Sequence, residues 1–383
     1  MEIRRDFEHG IVNRTQNSIF SYQGWPSVCR DENGTLYAVA SSFRTSHICP
    51  FGKTAMYVSR DNGKSWTPPI VINDTYLDDR DAGIVYLGNG KLLLTWFSHP
   101  AEVYASGRYF GAIRNAPSPI EAGAVMGMLA GYPYIPKELA RGGSFIRISE
   151  DYGVTWSETI RVPVSSPHGP GLLRDGRLIY LGKEMYAEDE VPKGSICAME
   201  SRDGGYSWQL LSVLDLPREL SCDNFHEPHV LELPDGRLFG AIRAQGNGVP
   251  HGFSIYTTIS DDGGKTWSEL VCTDVSGSPP HLLLHSSGAL ICAYGRREAP
   301  FGERAMISHD LGETWSDEYI LDERAKDGDL GYPASVELDD GSIVTVYYQK
   351  YPDDAKCSIL CTKWRVRLRS NVNTFLMKIT GHS

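Results

Sequence analysis

One eight-residue motif is repeated five times along the chain, and it constrains the fold more than any other feature. We call it the Asp box. It reads Ser-x-Asp-x-Gly-x-Ser/Thr-Trp and occurs at residues 59–66, 149–156, 201–208, 260–267 and 308–315. Ser and Asp side chains can bond nearby backbone N–H groups, Gly permits a positive φ, and Trp can cover a hairpin with its ring. Each box therefore predicts a corner between two β-strands, with a structural rather than a catalytic role.

A second repeat runs in phase with the Asp boxes and consists of two short apolar strands joined by a tight turn that contains Gly. Asn-Gly and Asp-Gly turns are strong signals for a β-hairpin. The unit is therefore strand, Gly turn, strand, loop, strand, Asp box and strand, which matches one four-stranded antiparallel blade of a propeller. Six such turns predict an all-β, six-bladed β-propeller; they lie at residues 32–34, 88–90, 174–176, 234–236, 286–288 and 339–341.

The sixth unit has no Asp box, so we expect the segment before Asn17 to add a strand and close the ring. The prediction is a single propeller domain over residues 1–383. The first two boxes are farther apart than the others, which indicates an insertion at about 99–143 in blade two, with a short helix at 120–129. Long insertions in repeat proteins often lie on the binding face. A contact between copies in a homo-oligomer is an equal alternative.

Charge and hydropathy argue against several classes of function. The formal net charge of −11 disfavours binding to nucleic acid or to an anionic membrane. The sequence has no apolar run of about 18 residues and no signal peptide after Met1, so we expect a cytoplasmic protein. Its 8 Cys are scattered, with no His or Cys partners at zinc spacing. We therefore expect reduced thiols, no metal and no cofactor.

The channel of the predicted propeller would be lined by the first strand of each blade, and the second strand would return to the same face. Counting nine residues back from each turn Gly gives six channel positions: Trp25, Asp81, Pro167, Glu227, Pro279 and Tyr332. Nearby or at the ends of the second strands stand Arg44, Arg80, His99, His168, Lys183, His226, Arg243, His281, Arg296 and Arg297. The scaffold repeats while these positions diverge, which favours a functional site over a water-filled polar channel.

The Asp boxes and two further stretches resemble the sialidase superfamily. One stretch, residues 227–243, begins Glu-Pro-His and ends at Arg243; the other, residues 331–336, reads Gly-Tyr-Pro-Ala-Ser-Val. The resemblance implies a six-bladed propeller, in agreement with the repeat count. It also implies that Tyr332 is a nucleophile, that Glu227 activates it, and that Arg243 is one of three arginines that bind a sugar carboxylate. Arg296, Arg297 and Arg304 remain candidates for another; Arg297 is favoured because it follows its strand as Arg243 does.

The sequence departs from that pattern in two places. The Arg-Ile-Pro segment usual in blade one is Gly-Trp-Pro at residues 24–26, and Arg44 is the substitute for the missing arginine. The usual acid Asp is absent from residues 45–54, which offer His47 instead. Asp81, with Asp79 behind it, is the replacement candidate. A structural pairing of Asp81 with the preceding arginine is the alternative.

These residue types suit one reaction in particular. A carboxylate beside the anomeric carbon repels an anionic nucleophile, and a neutral phenol avoids this if a base removes its proton. The planar fork of Arg binds a carboxylate through two hydrogen bonds. We therefore predict a retaining exo-glycosidase that releases a terminal acidic sugar, with sialic acid favoured, from a glycan or sialoside.

The predicted catalytic residues are Tyr332, Glu227 and Asp81. The predicted substrate-binding residues are Arg44, Arg80, His168, His226, Arg243, His281, Arg296 and Arg297. Two alternatives stay open. One is a glycosidase of the same fold that acts on a different sugar, with His168, His226 or His281 in acid–base work. The other is a non-catalytic carbohydrate-binding propeller.

Overall fold

The computed structural model describes residues 7–105, 113, 116, 118–186, 191–316 and 318–366. Within these residues, six four-stranded antiparallel sheets form the blades of a propeller. The first strand of each blade is innermost, and these inner strands contact one another around the ring. The predicted all-β, six-bladed propeller is confirmed. Among the described residues, no helix is long and apolar enough to cross a membrane.

Blades I to III follow the chain from the channel outwards. Blade I contains β2 (Tyr22–Arg30), β3 (Leu36–Arg44), β4 (Lys53–Ser59) and β5 (Ile70–Asn73). Blade II contains β6 (Asp79–Gly88), β7 (Lys91–Ser98), β8 (Gly143–Ser149) and β9 (Ile160–Val162). Blade III contains β10 (Gly171–Leu172), β11 (Leu178–Lys183), β12 (Ile196–Ser201) and β13 (Gln209–Val213).

Blades IV and V repeat this order, and blade VI closes the ring. Blade IV contains β14 (Phe225–Glu232), β15 (Leu238–Gln245), β16 (Phe253–Ser260) and β17 (Val271–Ser276). Blade V contains β18 (His281–Leu284), β19 (Leu290–Arg296), β20 (Gly302–Ser308) and β21 (Tyr319–Asp322). Blade VI contains β22 (Gly331–Glu337), β23 (Ile343–Gln349), β24 (Ser358–Trp364) and the N-terminal β1 (Glu8–Asn13), which pairs antiparallel with β24. The predicted closing strand is confirmed.

The apolar core is divided among the interfaces between neighbouring blades. One cluster, for example, joins Leu36 and Tyr57 of blade I to Val344 and Tyr348 of blade VI. Equivalent clusters join the other neighbouring pairs around the ring. Each blade therefore depends on both neighbours for burial of its apolar surface, as expected of a repeat architecture.

The turn glycines have the conformation that the sequence predicts. In all six hairpins the turn Gly has a φ between 71° and 92°, which an L side chain adopts only at a cost. In blade IV the N–H of Gly236 donates to the carbonyl of Leu233 at 3.0 Å and closes the turn. Local backbone chemistry is therefore enough to set the connection between the first two strands of each blade.

The Asp box at residues 260–267 is a self-contained hydrogen-bond network. The Ser260 hydroxyl donates to Asp262 Oδ1 at 2.9 Å and accepts from the Gly264 N–H at 2.8 Å. The N–H and hydroxyl of Thr266 donate to Asp262 at 2.9 and 2.7 Å. The other four boxes form the same bonds. The box tryptophan rings are half-buried rather than fully buried.

An insertion between β7 and β8 holds the main helices among the described residues. They are α1 (Ala101–Ala105), α2 (Pro119–Gly131), a 3₁₀ turn at Tyr132–Tyr134, and α3 (Lys137–Ala140); another 3₁₀ turn, Cys222–Asn224, precedes β14. The helix predicted at 120–129 lies within α2 and is confirmed. Buried Glu121 of α2 forms an ion pair with Lys356 of blade VI, so the insertion reaches from blade II to blade VI.

Candidate active site

Four of the six predicted channel positions lie on β-bulges of the inner strands. Trp25, Asp81, Glu227 and Tyr332 have φ values of 53°, 49°, 49° and 53°. In each case the register advances by three residues on the inner strand and by only two on its partner strand, which is the signature of a bulge. A left-handed φ costs an L residue about 1–2 kcal/mol, and bulges re-aim side chains, often next to active sites. The other two blades have Pro here, whose ring keeps φ negative.

These bulges bring Tyr332 of blade VI into direct contact with Glu227 of blade IV. The Tyr332 hydroxyl donates to Glu227 Oε1 at 2.5 Å. Arg243 Nη1 donates to Glu227 Oε2 at 2.5 Å and to the Tyr332 hydroxyl oxygen at 3.2 Å. Gln245 holds the other side of the same guanidinium, at 3.1 Å from Nε and 2.5 Å from Nη2. The phenol, carboxylate and guanidinium therefore form one fixed cluster.

Electrostatics keep the phenol neutral beside a charged carboxylate. Burial raises the pKa of Tyr332 well above its ordinary value; the charges of Glu227 and Asp81 raise it further, against Arg243 and Arg297. Burial alone would raise the pKa of Glu227. The charge of Arg243 and the hydrogen bond from Tyr332 overcome this, so its pKa is lowered. The carboxylate can thus accept the phenol proton when the phenol oxygen shares its electrons in a new bond and its O–H group becomes acidic.

Of the three arginines predicted as alternatives in blade V, the structure places Arg297 at this cluster. Its Cζ lies 5.6 Å from the centre of the Tyr332 ring and 5.5 Å from that of Phe253. Its Nη2 is buried and has no hydrogen-bond partner in the described part of the chain. Arg296 instead forms an ion pair with Glu318 at 3.1 Å, and Arg304 is buried against backbone carbonyls.

Asp81 lies beside Glu227, with only 5 % of its surface exposed. Burial raises the pKa of Asp81 to about 7; the charge of Arg80 lowers it and that of Glu227 raises it. Its Oδ1 has no hydrogen-bond partner in the part of the chain that the structure describes. Asp79, two residues earlier, is instead held by Thr75 and Ser98 at 2.7 and 2.9 Å, and so fixes the start of β6 against the preceding turn and the end of β7.

Trp25 occupies the blade I position and carries two guanidinium groups on its ring. The Cζ of Arg44 and of Arg80 lie 4.6 and 4.2 Å from the centre of that ring. Arg44 is completely buried and forms a bidentate ion pair with Asp78. Its Nη groups also bond Ser41 and the carbonyl of His47, so only the buried Nε of Arg44 lacks a partner among the described residues. The structure thus makes Arg44 a structural residue, rather than the substitute for the missing arginine.

A cavity of about 430 Å³ opens next to Asp81 and Glu227. Its wall includes the aromatic rings of Phe97, His99 and Tyr186, and His226 lies on the same wall. Lys183 lines it too, but its ammonium group is hydrogen-bonded to the carbonyls of Cys222 and Phe225. The cavity has the size of a small-molecule site, and the carboxyl groups of Asp81 and Glu227 both lie on its wall.

His168 and His281 lie apart from this cluster, deeper in the channel. With His229 they form a group of neutral imidazoles, whose ring centres are 4.5 to 5.5 Å apart. Burial lowers the pKa of each, that of His229 to about 4. They border a second cavity of about 420 Å³ at the opposite end of the channel. Neither predicted histidine contacts Tyr332, Glu227 or Asp81 in the structure.

Sequence reasoning missed three residues that hold the site. Gln245 stands two positions after Arg243 on a strand, so both side chains share a face; this spacing was a usable signal. Asp78 has no such signal, because its partner Arg44 is on another blade. Asp329 accepts hydrogen bonds from Tyr22 at 2.9 Å and Tyr348 at 3.4 Å, and it lies 2.8 Å from His47 Nδ1. Its role becomes visible only when the blades close.

Comparison with known families places the chain in one of them. The model of the BNR repeat-like domain matches residues 136–345, which is more than half of the sequence. The chain belongs to the BNR repeat-like domain family. A model of the BNR/Asp-box repeat also matches residues 57–68, around the first box. A comparison with curated protein sequences found no match.

Solved structures similar to this BNR propeller share its fold at low sequence identity. A protein of unknown function from Dyadobacter fermentans is 21% identical with a TM-score of 0.74, and the match covers 96% of this chain and 100% of that one. NanB sialidase of Streptococcus pneumoniae is 15% identical (TM-score 0.68; 96% and 71% covered). An α-L-arabinanase of Penicillium chrysogenum is 17% identical (TM-score 0.58; 93% and 98% covered). The resemblance to the sialidase superfamily is confirmed, as a shared fold.

Proposed function

We propose that this protein is a retaining exo-glycosidase that releases a terminal acidic sugar, with sialic acid favoured, from a glycan. One observation carries the proposal: the Tyr332 hydroxyl donates at 2.5 Å to Glu227, and Arg243 bonds both groups. A non-catalytic binding site has no need of a buried phenol hydrogen-bonded to an ionised carboxylate. This pair is the arrangement expected of a nucleophile and its base.

The reaction would proceed in two steps, formation of a bond between Tyr332 and the sugar and then its hydrolysis. In the first, the Tyr332 oxygen bonds to the anomeric carbon, Glu227 takes the phenol proton, and the bond to the leaving oxygen breaks. Asp81, whose pKa of about 7 keeps a substantial protonated fraction at neutral pH, gives its proton to that oxygen. In the second, water attacks the same carbon and returns a proton to Asp81. Tyr332 leaves and regains its proton from Glu227, so the configuration is retained overall.

The choice of an acidic sugar rests on the nucleophile and the arginines. A neutral phenol is needed most when the attacked carbon carries a carboxylate, since an anionic Asp or Glu would be repelled. Arg297 has a buried Nη2 without a partner within the described residues, and it lies against the Tyr332 ring. Arg243 is adjacent, so a substrate carboxylate at this point would meet two guanidinium groups.

A second candidate is a glycosidase for a neutral sugar that uses Glu227 and Asp81 as its two carboxyl groups. Three observations favour it. Arg44 is neutralised by Asp78, and the donors of Arg243 that point away from Glu227 are taken by Gln245. The fold also resembles that of an α-L-arabinanase. In this mechanism Tyr332 would only orient Glu227, and its hydroxyl would be dispensable for bond cleavage.

The two candidates can be separated with fluorogenic 4-methylumbelliferyl glycosides. The sialoside is tested first, followed by the glucuronide and the arabinofuranoside. We expect turnover of an acidic glycoside, and a fall of about 10³-fold or more in Tyr332→Phe, because the bond-forming oxygen is removed. Tyr57→Phe is the matched control: Tyr57 is also buried, and its hydroxyl bonds Asn13, Ser42 and Gln23 rather than Glu227 or Arg243.

Product stereochemistry, followed by NMR in the first turnovers, completes the test. Retention of configuration together with an inactive Tyr332→Phe variant supports the Tyr mechanism. Inversion, or near-normal turnover by Tyr332→Phe on a neutral arabinofuranoside, supports the second candidate instead. Sugar binding with no turnover of any glycoside would make the protein a carbohydrate-binding propeller.

A further inference from the structure

Arg80 is a buried cation whose hydrogen-bonding capacity is unused. Only 9 % of its surface is exposed, yet its buried Nε has no hydrogen-bond partner among the residues that the structure describes. Its nearest carboxylates are Asp78 at 3.8 Å and Asp81 at 3.9 Å, which is too far for hydrogen bonds. Burying a guanidinium without partners is costly, so the arrangement indicates a ligand that supplies acceptors.

The position of Arg80 is fixed by packing rather than by polar contacts. Its guanidinium lies 4.2 Å from the centre of the Trp25 ring and 5.9 Å from that of Phe97. Trp25 is in turn 6.5 Å from Tyr332, ring centre to ring centre. Stacking of this kind holds the plane of the guanidinium and leaves its N–H groups to project from the edge. Packing therefore fixes the orientation of Arg80 without using its hydrogen-bond donors.

Arg44, on the same Trp25 ring, shows the opposite condition. It is bonded by Asp78, Ser41 and the carbonyl of His47, and Tyr104 adds a hydrogen bond to Asp78 at 3.2 Å. Asp78 thus neutralises Arg44 and leaves Arg80 a charge without a hydrogen-bonded partner. The two arginines on this indole ring therefore differ: Arg44 is hydrogen-bonded to a carboxylate and Arg80 is not.

We propose that Arg80, together with Arg297, binds the carboxylate of the acidic sugar and determines the preference for an anionic substrate. The inference rests on the proposed function. It moves the anion-binding arginine to blade II, one residue before Asp81. In the resembling family that arginine stands in blade one, at the residue that is Gly24 here. Arg80 Nε and Arg297 Nη2 are buried guanidinium nitrogens that lack a partner within the described residues. The Nε atoms of Arg44 and Arg296 also lack one, but those two guanidinium groups form hydrogen-bonded ion pairs with Asp78 and Glu318.

This assignment also couples binding to catalysis. Arg80 faces Asp81, whose other charged neighbours are Glu227, Arg44 and Arg243. The positive charge of Arg80 lowers the pKa of Asp81, against burial. A substrate carboxylate on Arg80 would offset that charge and favour the protonated form of Asp81, which is the form that donates. An acidic substrate would therefore help to prepare its own proton donor.

The test measures binding, so that it does not depend on turnover. N-acetylneuraminic acid and D-glucuronic acid are titrated by saturation-transfer NMR against their neutral counterparts, the methyl esters, with the full-length protein. We expect Arg80→Gln to weaken binding of the acids by about 10- to 100-fold and to leave the esters within about twofold. Arg80→Lys should lie between. Arg296→Gln is the matched control, since it removes one half-buried arginine that pairs with Glu318.

Each outcome decides a separate point. If Arg80 only supports Trp25 and Asp81, Arg80→Gln weakens acids and esters equally, and the inference is wrong. Unchanged acid binding in Arg80→Gln overturns it as well. Acid binding that depends on Arg80 but is followed by no hydrolysis supports the inference and refutes the proposed function. Wild-type protein that binds no acidic sugar refutes both. Should Arg80→Gln fail to fold, by circular dichroism, Arg80→Lys carries the comparison, because it keeps the charge and loses the fork.

Discussion

Aspartate side chains have opposite pKa shifts in the Asp boxes and at the channel mouth, which is the end of the channel that holds Tyr332, Glu227 and Asp81. Asp262 is exposed, and its bonds from the N–H and hydroxyl of Thr266 lower its pKa to about 2. Asp81 is buried, and burial raises its pKa to about 7. The box satisfies its carboxylate within a few residues and stabilises the charged form. At the channel mouth, Asp81 Oδ1 has no hydrogen-bond partner among the described residues, and burial stabilises the neutral form of the carboxyl group. Groups satisfied locally build this fold, while groups left unsatisfied mark its candidate chemistry.

Among the variants at the channel mouth considered below, Glu227→Gln should have the largest effect on activity. The amide keeps the shape but cannot take the proton of Tyr332, so we expect kcat/KM to fall by about 10²- to 10⁴-fold. The control is Glu232→Gln, at the far end of the same strand, where Glu232 pairs with Arg174 at 3.0 Å. Thermal unfolding should move little in either variant. A Glu227→Gln enzyme with wild-type kcat/KM on the best acidic glycoside would remove Glu227 from the mechanism.

The pH–rate profile of Asp81→Asn gives the next largest effect. Wild-type activity should fall as pH rises through about 7, because the donating, protonated form of Asp81 is lost there. Asp81→Asn should lower the rate by about 10²-fold and abolish this alkaline limb. Asp79→Asn is the control: burial also raises the pKa of Asp79 to about 7, but the hydroxyls of Thr75 and Ser98 donate to its Oδ1 and the N–H of Thr75 donates to its Oδ2. An alkaline limb that persists in Asp81→Asn and disappears in Asp79→Asn would reverse the assignment.

The smallest effect belongs to the boxes and concerns stability in acid. The pKa of Asp262 in the folded protein lies below its unfolded value, so its stabilisation is present above about pH 4 and is lost as pH falls toward 2. Asp262→Asn should be less stable than wild type at pH 6, with a gap that narrows toward pH 2, in urea unfolding. Kinetic constants at pH 6 should match those of wild type. A change in KM would mean that the boxes influence the mouth.

Much of the fold could be read from the sequence because its determinants are local. A Gly at positive φ and an Asp box need only their own few residues, and each appears in the structure at the predicted place. Counting back from the turn Gly also found Trp25, Asp81, Glu227 and Tyr332. It could not show that these positions are bulges, because a bulge depends on register against the partner strand.

What the tertiary structure alone decided is which polar groups are satisfied. The sequence favoured Arg44 as the substitute for the missing arginine and gave Arg80 only as one of several substrate-binding candidates. The packing of Asp78 between blades I and II reverses that order, because Asp78 hydrogen-bonds Arg44 and lies 3.8 Å from Arg80. His168 and His281 share the predicted face, but the depth of their strand positions places them in another cavity. The chain by itself determined six blades, since each turn and box closes within a few residues. The state of each charge depends on partners on other blades, which only closure of the ring brings into contact.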